Sequence, residues 1–409
     1  MVSKVSRPKV VVVGAGFAGL STIRRLARTG AEVLLIDINN YHTFVPLLYQ
    51  VATGFIRPGV IAYPIRKILR RYESVRFLRG TVTQVDFASR ALDVDGLSLN
   101  YDYLVLATGS QTRFLKVPGA PHYTFPLRTL TDAVALHQHV LRCIEQAAIG
   151  YIDEREALLT FVVVGGGPTG VEMAGALNEF INETVIKDHP EIGHLRARVL
   201  LIQSGDRLLT GLPAPLGSRT ASYLRRRGVK VQFNTRVEAV SSEAVTLDDG
   251  STLPTATVVW AAGVSANPPA ADSVKQAEKI VVRPTLQLHE HPNVYAIGDV
   301  SEVEAGDLAG VAPEALQQGK TVADNICRQM AGEEPQAFKY FNKGRAAIVA
   351  RNAGVAHLLG RIPVSGVLGW LTWLLVHLYY LPGLTNRLSL LVSWLRDYIK
   401  RDRAHRQLF

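Results

Sequence analysis

Cysteine is almost absent from the sequence, which excludes two classes of redox protein. Only Cys143 and Cys327 occur, far apart and without a Cys-x-x-Cys pair. Two such residues provide neither a disulfide framework nor the ligands of an iron–sulfur cluster. Because no thiol pair is available to carry electrons, any redox chemistry needs an organic cofactor.

Histidine in the spacing of metal ligands is also lacking. The 11 histidines are scattered along the chain. The close pairs, His137 with His139 and His289 with His291, have no carboxylate at the spacing that a metal site requires. We therefore expect no bound metal.

No secretory signal is recognisable at the N-terminus, where "MVSKVSRPKVVVV" passes from a short basic lead into a predicted strand. We therefore expect the protein to stay in the cytoplasm. The 409 residues, 47% hydrophobic and 20% charged, predict a globular α/β chain with two domains and an additional region. The net charge of +10 favours an anionic partner, either nucleic acid or an acidic membrane surface.

A glycine-rich turn, "GAGFAG" at 14–19, follows a valine-rich segment and precedes a predicted helix over 20–29. In such a turn Gly14 permits a sharp bend and Gly16 lets the backbone approach a pyrophosphate. Gly19 lets the helix pack closely on the strand. The helix N-terminus then faces the phosphates of a dinucleotide.

The same order recurs later in the chain. A predicted strand over 159–164 leads into "GGGPTG" at 165–170, a predicted helix over 171–184 and a strand over 198–202. Two such turns in one chain predict two dinucleotides, a flavin that stays bound and a nicotinamide cofactor that binds and leaves.

The two copies differ in the residue that ends the second strand. The predicted strand 31–36 is followed by Asp37, whose carboxylate can bind an adenosine ribose hydroxyl. The second copy has Gln203, whose amide can bind the same hydroxyl without repelling a 2′-phosphate, and Arg207 lies nearby. We expect NADH as co-substrate, with NADPH not excluded by charge.

Further strands indicate that one dinucleotide domain is inserted into the other. "YDYLVLATGS" (101–110) and "ATVVWAAGV" (256–264) each close one copy with a strand that ends in small residues. A third strand, "NVYAIGDV" (293–300), places Asp299 where it can bind a ribityl or ribose hydroxyl. A helical segment over 314–330 follows.

These residues resemble the type II NADH:quinone dehydrogenases, single-subunit, non-pumping flavoproteins with two dinucleotide-binding domains. The resemblance covers essentially the whole chain. It rests on "VVVGAGFAGL", "NNYHTFVPLLYQVATG", "GGGPTGVEMAGAL", "VWAAGV", "YAIGDV", "VAPEALQQG" and "WLTWLLVHLYYLPGLTNRLSLLVSW".

The resemblance implies the residues of both cofactor sites. Tightly bound FAD is expected at Gly14, Ala15, Gly16, Phe17, Ala18, Gly19, Asp37, Val82, Thr108, Gly109, Asp299 and Ala312. The nicotinamide cofactor is expected at Gly165, Gly167, Thr169, Gly170 and Gln203.

Two candidate catalytic residues also follow from the resemblance, Glu172 and Gln317. Glu172 matches a family glutamate close to where the nicotinamide meets the flavin. The alternative is an acid in the first turn of a helix, stabilised by the helix dipole. Gln317 matches a glutamine at the quinone end of the flavin. Pro313 replaces the other family glutamine there, and Lys343 matches a family lysine near the same pocket.

The C-terminal sequence predicts membrane attachment. Residues 364–381 are almost wholly apolar, "PG" follows at 382–383, and a second amphipathic helix is predicted over 387–400. Six Lys/Arg and two acids occur from Gly383 onward. Aromatic, apolar faces beside basic residues are typical of helices that lie in the plane of an anionic membrane surface. A single transmembrane span and an ordinary pair of core helices are the alternatives.

The sequence thus predicts an FAD-binding domain over 1–112 and 264–335, an NAD(P)H-binding domain over 113–263, and a quinone-site and membrane-anchoring region over 336–409. The expected activity is hydride transfer from NAD(P)H to FAD and then electron transfer to a membrane quinone. An NAD(P)H reductase with a protein or other acceptor is the alternative. We expect a peripheral homodimer on the cytoplasmic face of the membrane and no nucleic acid partner, because the clearest cluster of apolar and basic residues lies in the tail.

Overall fold

The structure, a computed structural model, describes residues 7–149, 152–271, 274, 276–304, 306, 308, 310–400 and 407. The strands in chain order are β1 Lys9–Val13, β2 Glu32–Asp37, β3 Tyr41–Thr43, β4 Ala62–Pro64, β5 Val75–Arg79, β6 Val82–Asp86, β7 Ala91–Val94, β8 Leu97–Asn100, β9 Tyr103–Leu106, β10 Ser110–Thr112, β11 Phe125–Pro126, β12 Thr160–Val164, β13 Arg198–Ile202, β14 Lys230–Gln232, β15 Val237–Val240, β16 Ala244–Leu247, β17 Thr252–Pro254, β18 Thr257–Trp260, β19 Val264–Ala266, β20 Ala270–Ala271, β21 Ile280–Val282, β22 Val294–Ala296, β23 Ser301–Val303, β24 Gly344–Ala350, β25 Ala353–Leu358 and β26 Ile362–Gly366.

The α-helices, in the same order, are α1 Phe17–Leu26, α2 Leu48–Ala52, α3 Pro58–Ile61, α4 Ile65–Leu69, α5 Ala120–Tyr123, α6 Leu130–Ile149, α7 Ile152–Leu158, α8 Pro168–Glu183, α9 Ala214–Arg226, α10 Ala312–Met330, α11 Val367–Tyr380 and α12 Leu384–Lys400. Short 3-10 helices span Val45–Leu47, Val185–Asp188 and Gly298–Val300.

The first of two compact units comprises Met1–His42, Tyr63–Gln111 and Val264–Asn342. Its main sheet has five parallel strands in the order β22-β9-β1-β2-β5. β1 is valine-rich and almost fully buried, as expected for a strand covered on both faces. Because chain order reverses between β1 and β9, the carboxyl ends of these strands form a crevice of the kind that binds dinucleotides.

The second unit comprises Thr43–Ala62, Thr112–Gly263 and Lys343–Phe409. Its five-stranded parallel sheet has the order β11-β18-β12-β13-β14. Four of these strands, β18-β12-β13-β14, repeat the topology of β9-β1-β2-β5, whereas the edge strand β11 precedes β12 in the chain and β22 follows β9. β12 takes the place of β1, with β13 and β18 on its two sides. The α/β class and the repeated dinucleotide-binding architecture predicted from the sequence are therefore correct.

Both helices after the glycine-rich turns begin earlier than predicted. α1 starts at Phe17 rather than at residue 20, and α8 starts at Pro168 rather than at residue 171. The reason is that the last glycine of each turn lies in the first turn of the helix. A Cβ at Gly19 would lie 1.9 Å from the carbonyl oxygen of Gly14, and one at Gly170 would lie 1.8 Å from that of Gly165.

The division of the chain differs from the predicted one at the C-terminus. The sequence predicted a separate region over 336–409, but residues from Lys343 onward belong to the second unit, together with residues 43–62. Close packing accounts for this. A Cβ at Gly175 of α8 would lie 1.9 Å from the carbonyl oxygen of Val349 in β24, so α8 rests directly on this strand.

The apolar stretch over 364–381 is not one helical segment, as its composition had suggested. Residues up to Gly366 continue β26, which pairs with β25, and the positive φ of Gly366 (72°) turns the chain into α11. α11 and the following α12 form a helical hairpin, in which Arg387 donates to the carbonyl oxygens of Tyr379 and Leu381. Within the described part of the chain, no helix combines the length and apolar character needed to cross a membrane. The basic residues from 401 to 406 lie outside the described residues.

Candidate functional site

In the turn after β1, close backbone contacts leave no room for a side chain at Gly14 or Gly19, whereas Gly16 has open space beside it. Gly14 has a φ of 104°, and a Cβ there would lie 2.2 Å from the carbonyl oxygen of Ala107. Gly16 differs, because its φ is −71° and a Cβ would have no atom within 4 Å. Neither backbone conformation nor protein packing requires glycine at position 16. The space beside it suits a group that is not part of the chain, such as the pyrophosphate of a dinucleotide.

Asp37, at the end of β2, organises this turn. One carboxylate oxygen accepts from the backbone N–H of Ala15 at 2.6 Å, and the other accepts from that of Asn39 at 2.7 Å. Burial raises the pKa of this carboxyl, and the two N–H donors oppose the rise. A carboxylate can accept about four hydrogen bonds, so acceptor capacity remains for a ribose hydroxyl.

His42 also holds the turn, and sequence reasoning missed it although it lies in the quoted "NNYHTF" motif. Its Nδ1 is 2.8 Å from the carbonyl oxygen of Ala15, and its ring meets that of Phe17 edge to face. Because a carbonyl can only accept, Nδ1 carries the proton. Burial lowers the pKa of His42 to about 4, so the ring is neutral at physiological pH.

The end of β9 offers a buried polar atom with no partner in the protein. The Thr108 hydroxyl is buried and lacks a hydrogen bond to any described residue. Such groups are costly unless something satisfies them. Nearby in the same unit, Ser110 donates to a carboxylate oxygen of Asp299 at 2.7 Å. An unsatisfied hydroxyl beside an open glycine turn fits an FAD site, because the bound cofactor would supply the missing hydrogen-bond partner.

α10 begins close to this region of the first unit. Glu314 accepts from the backbone N–H groups of Gly310 and Val311 and so caps the helix, which places Ala312 and Pro313 in its first turn. Gln318, which the sequence did not single out, accepts from the N–H of Gly298 at 2.6 Å. This bond ties the Gly298-Asp299 turn to α10.

Gln317 is engaged by the protein itself. Its amide nitrogen donates to the carbonyl oxygen of Phe341 at 3.0 Å, and its amide oxygen accepts from the N–H of the same residue at 3.0 Å. A hydrogen bond to a quinone would have to be shared with these contacts or replace one of them.

Val82, the remaining predicted FAD residue of this unit, starts β6 and is half-buried.

The turn after β12 reproduces the first turn in the second unit. Gly165 has a φ of 108°, and a Cβ would lie 2.5 Å from the carbonyl oxygen of Ala261. Gly167 has a φ of −73° and open space where a Cβ would be. Gln203 accepts from the N–H of Gly166 at 2.8 Å, as Asp37 does from Ala15. The corresponding second residue of each turn is therefore held by the side chain at the end of the next strand. Thr169 is exposed at the start of α8.

Glu172 lies beyond the first turn of α8, and its side chain is buried. One carboxyl oxygen, Oε1, accepts from Trp373 Nε1 at 2.8 Å and from the N–H of Ile348 at 3.2 Å. Burial raises the pKa of Glu172 to about 8, and both hydrogen bonds oppose the rise. The alternative of an acid in the first turn of a helix, stabilised by the helix dipole, does not describe this residue, because α8 begins at Pro168 and Glu172 follows the first turn with only 8% of its surface exposed.

Glu172 also lines a cavity of about 60 Å³ within the second unit. The other lining residues are Tyr49, Gln50, Phe55, Ala176, Glu179, Ile348, Val349, Ala350, Arg351, Trp370, Leu374, Trp394, Asp397 and Tyr398. Most of them come from parts of the chain that sequence reasoning had not connected to Glu172.

Lys343 lies in the second unit, whereas Pro313 and Gln317 lie in the first. Its ammonium group is 3.4 Å from the hydroxyl of Tyr380 and 5.9 Å from the centre of that ring.

Comparison with known proteins identifies the family. The sequence profile of the pyridine nucleotide-disulphide oxidoreductase family matches residues 8–319. The type II NADH:quinone oxidoreductase Ndh of Mycobacterium tuberculosis is 36% identical over 97% of this chain and 89% of its own length. The type II NADH:quinone oxidoreductase of Staphylococcus aureus is 29% identical over 88% of this chain and 92% of its own length.

A solved structure gives the same result at the level of the fold. NDH2 from Plasmodium falciparum in complex with NADH superimposes with a TM-score of 0.88, with 98% of this chain and 100% of that chain covered, at 19% sequence identity. The repeated glycine turns, the matching sheets and the full-length similarity lead to one conclusion: the chain belongs to the pyridine nucleotide-disulphide oxidoreductase family and, within it, to the type II NADH:quinone oxidoreductases.

Proposed function

We propose that this protein is a single-subunit, non-proton-pumping NADH:quinone oxidoreductase that uses FAD and delivers two electrons to a membrane quinone. The observation that supports it most is the pair of glycine turns, each with an unconstrained glycine and a side chain that fixes the second residue of the turn. The curated relatives with this activity cover nearly the whole chain.

The first unit is the proposed FAD-binding domain. The open space at Gly16, the unpaired hydroxyl of Thr108 and the carboxylates of Asp37 and Asp299 fit a flavin dinucleotide. Gly14, Ala15, Phe17, Ala18, Gly19, Val82, Gly109 and Ala312 complete the proposed site. When bound, FAD accepts hydride from the nicotinamide and passes electrons onward. The protein residues hold both dinucleotides and exclude water from the reacting groups.

The second unit is the proposed site of the nicotinamide cofactor. Its phosphates would approach Gly167 at the start of α8, and Thr169 and Gly170 belong to the same turn. Gln203 uses its amide oxygen to hold Gly166 and retains two N–H donors for a ribose hydroxyl. Because the side chain is neutral, it does not repel a 2′-phosphate, so we propose NADH with a tolerance for NADPH.

Glu172 is the group proposed to hold a proton for the reduction of the quinone. Reduction of a quinone to a quinol takes two electrons and two protons, whereas hydride from NADH supplies two electrons and one proton. The other proton must come from the protein or the solvent. With a pKa of about 8, Glu172 carries a proton at neutral pH. Pro313, Gln317 and Lys343 remain the proposed contacts of the quinone.

The outer faces of α11 and α12 are the proposed membrane-docking surface. They expose Val367, Leu368, Leu371, Leu375, Val376, Tyr379, Leu384, Leu388, Leu391, Val392, Leu395, Tyr398 and Ile399. An exposed apolar area of this extent marks an interaction site. A lipid quinone requires docking at the bilayer, so we propose that the helical hairpin lies in the plane of an anionic membrane surface, on its cytoplasmic side. A homodimer is proposed as well.

Replacing Leu368 and Leu375 together by glutamate should weaken binding to vesicles of anionic phospholipid by at least about tenfold, because each leucine contributes apolar burial and each glutamate is repelled. Both leucines are 67% exposed, so the fold should tolerate the change. Vesicle co-sedimentation measures the binding, and NADH oxidation with ferricyanide should stay at the wild-type rate. The control is Ile149→Glu, an 88% exposed apolar residue at the end of α6, which should bind vesicles normally. Equal vesicle binding by all three proteins would refute the docking surface.

An anaerobic titration tests the proposed function. The purified protein should be yellow, NADH should bleach it, and a short-chain quinone should restore the colour with one quinone consumed per NADH. A protein acceptor that reoxidises it far faster than quinone would favour the alternative reductase. A colourless protein that does not take up FAD would overturn the proposal.

A further inference from the structure

Trp373 connects α11 to the buried carboxyl of Glu172. The two residues are separated by 201 positions in the chain, and the indole Nε1 lies 2.8 Å from Glu172 Oε1. Trp373 is fully buried, whereas Leu368 and Leu375 of the same helix are among its most exposed residues. α11 therefore exposes apolar side chains on one face and contacts Glu172 through Trp373 on another.

The position of Trp373 is fixed by its surroundings. His377, one turn later, stacks on the indole with ring centres 3.9 Å apart, and its Nδ1 donates to the carbonyl oxygen of Trp373 at 2.7 Å. The backbone of α11 also lies directly on β25, because a Cβ at Gly369 would be 2.4 Å from the carbonyl oxygen of Gly354. The indole N–H is thus held in place, and its orientation depends on how α11 packs on β25.

We propose that Trp373 is a positioning residue for Glu172, through which helix α11 sets the orientation and proton affinity of that carboxyl. The proposal rests on the proposed function in one respect, namely that Glu172 takes part in the reaction. Trp373 and the N–H of Ile348 both hold Oε1, and no described residue donates to Oε2. The carboxyl is therefore fixed through one oxygen, and its other oxygen is left for the proton.

The other charged and titratable groups near Glu172 do not replace this contact. Burial lowers the pKa of His377 to about 4, so it is neutral when Glu172 titrates. Glu179 accepts from the N–H of Arg351, and the Arg351 guanidinium lies over the ring of Tyr398. Tyr49 and Asp397 complete the titratable groups that line the cavity. Trp373 is the side chain that donates to Glu172 among the described residues.

Trp394 provides a matched control. It is a second buried tryptophan of the helical hairpin, 5.9 Å from Trp373 between ring centres, and its Nε1 donates to Gln50 at 3.0 Å. Trp394→Phe therefore removes one buried indole N–H from the same pair of helices without touching the bond to Glu172. Any general loosening of α11 and α12 should affect both variants alike.

The direct test is a pH titration by ¹⁹F NMR of the FAD-loaded, full-length protein labelled with 5-fluorotryptophan. The resonance missing from Trp373→Phe belongs to Trp373. It should shift with a midpoint near pH 8 in the wild type and in Trp394→Phe, and it should cease to titrate in Glu172→Gln. A Trp373 resonance that does not move near pH 8, or that moves equally in Glu172→Gln, would overturn the proposal. This measurement does not depend on quinone reduction, so it separates this proposal from the proposed function.

The kinetic test is the pH dependence of quinone reduction. Loss of one hydrogen bond to the charged form should raise the apparent pKa of kcat in Trp373→Phe by about one pH unit, with an unchanged KM for NADH. Trp394→Phe should keep the wild-type profile. Identical profiles for Trp373→Phe and wild type would contradict a positioning role, and a protein without quinone reductase activity would contradict the proposed function instead.

Discussion

Replacing Glu172 by glutamine should remove a pH-dependent loss of stability that the wild type shows between about pH 5 and pH 8. Burial raises the pKa of Glu172 from 4.5 to about 8. The folded state therefore binds this proton more tightly than the unfolded state. The resulting stabilisation is fully present below the unfolded pKa, and it is lost as the pH rises through the folded pKa.

The expected size of the effect is a few kcal/mol, since each unit between the two pKa values corresponds to about 1.4 kcal/mol. Glutamine keeps an oxygen that can accept from Trp373 and Ile348 but has no proton to lose. The measurement is urea unfolding followed by tryptophan fluorescence, with FAD in excess, at several pH values. Groups such as His42 and His377 contribute equally to both proteins, so the difference between the two curves isolates Glu172. Parallel curves would show that Glu172 is not protonated in the folded protein at neutral pH.

Alanine at Gly16 and alanine at Gly167 should have separate effects on the two cofactors. Both glycines have φ values that any residue adopts, and both have open space for a Cβ. Gly16→Ala should weaken FAD binding by about 10- to 100-fold, because the methyl group occupies space that the pyrophosphate needs. Gly167→Ala should leave FAD binding unchanged and raise the KM for NADH by a similar factor.

Titration of the apoprotein with FAD, followed by flavin fluorescence, measures the first effect, and steady-state kinetics at saturating FAD measure the second. Gly59→Ala is the matched control, because it also has room for a Cβ, lacks a positive φ and lies outside both turns. It should behave as wild type in both assays. If Gly16→Ala impaired NADH and Gly167→Ala impaired FAD, the assignment of the two units would be reversed. If neither variant differed from Gly59→Ala, the turns would not bind phosphates.

Local features of the sequence were sufficient for the fold and for the two glycine turns at which the dinucleotides are proposed to bind. Each turn is continuous in the chain, so the spacing of Gly14, Gly16 and Gly19 already encodes two constrained positions and, between them, an open one at Gly16. The acceptor at the end of the next strand was found by the same logic, because Asp37 and Gln203 occupy the same place in a repeated pattern. The structure added that each holds the second residue of its turn by a backbone hydrogen bond.

Element boundaries were predicted less well where two signals overlap. The glycines that allow close packing also lie inside the first helical turn, so α1 and α8 begin before the residues that composition favours. At the C-terminus, the apolar composition of residues 364–381 concealed the transition from β26 to α11. Both β26 and α11 are apolar in composition although neither is largely buried, so composition did not separate strand from helix, and Gly366 was the local signal at their boundary.

The sequence by itself determined the two dinucleotide folds, the side chains that end their second strands and the apolar character of the tail, because these depend on residues close together in the chain. Only the tertiary structure decided the surroundings of Glu172. Its contacts with Ile348 and Trp373 span 176 and 201 residues, and Gln50 meets Trp394 across 344. No periodicity or spacing encodes such pairs, because they arise from how helices and strands pack after they have formed. The burial that raises the pKa of Glu172 exists only in the folded chain.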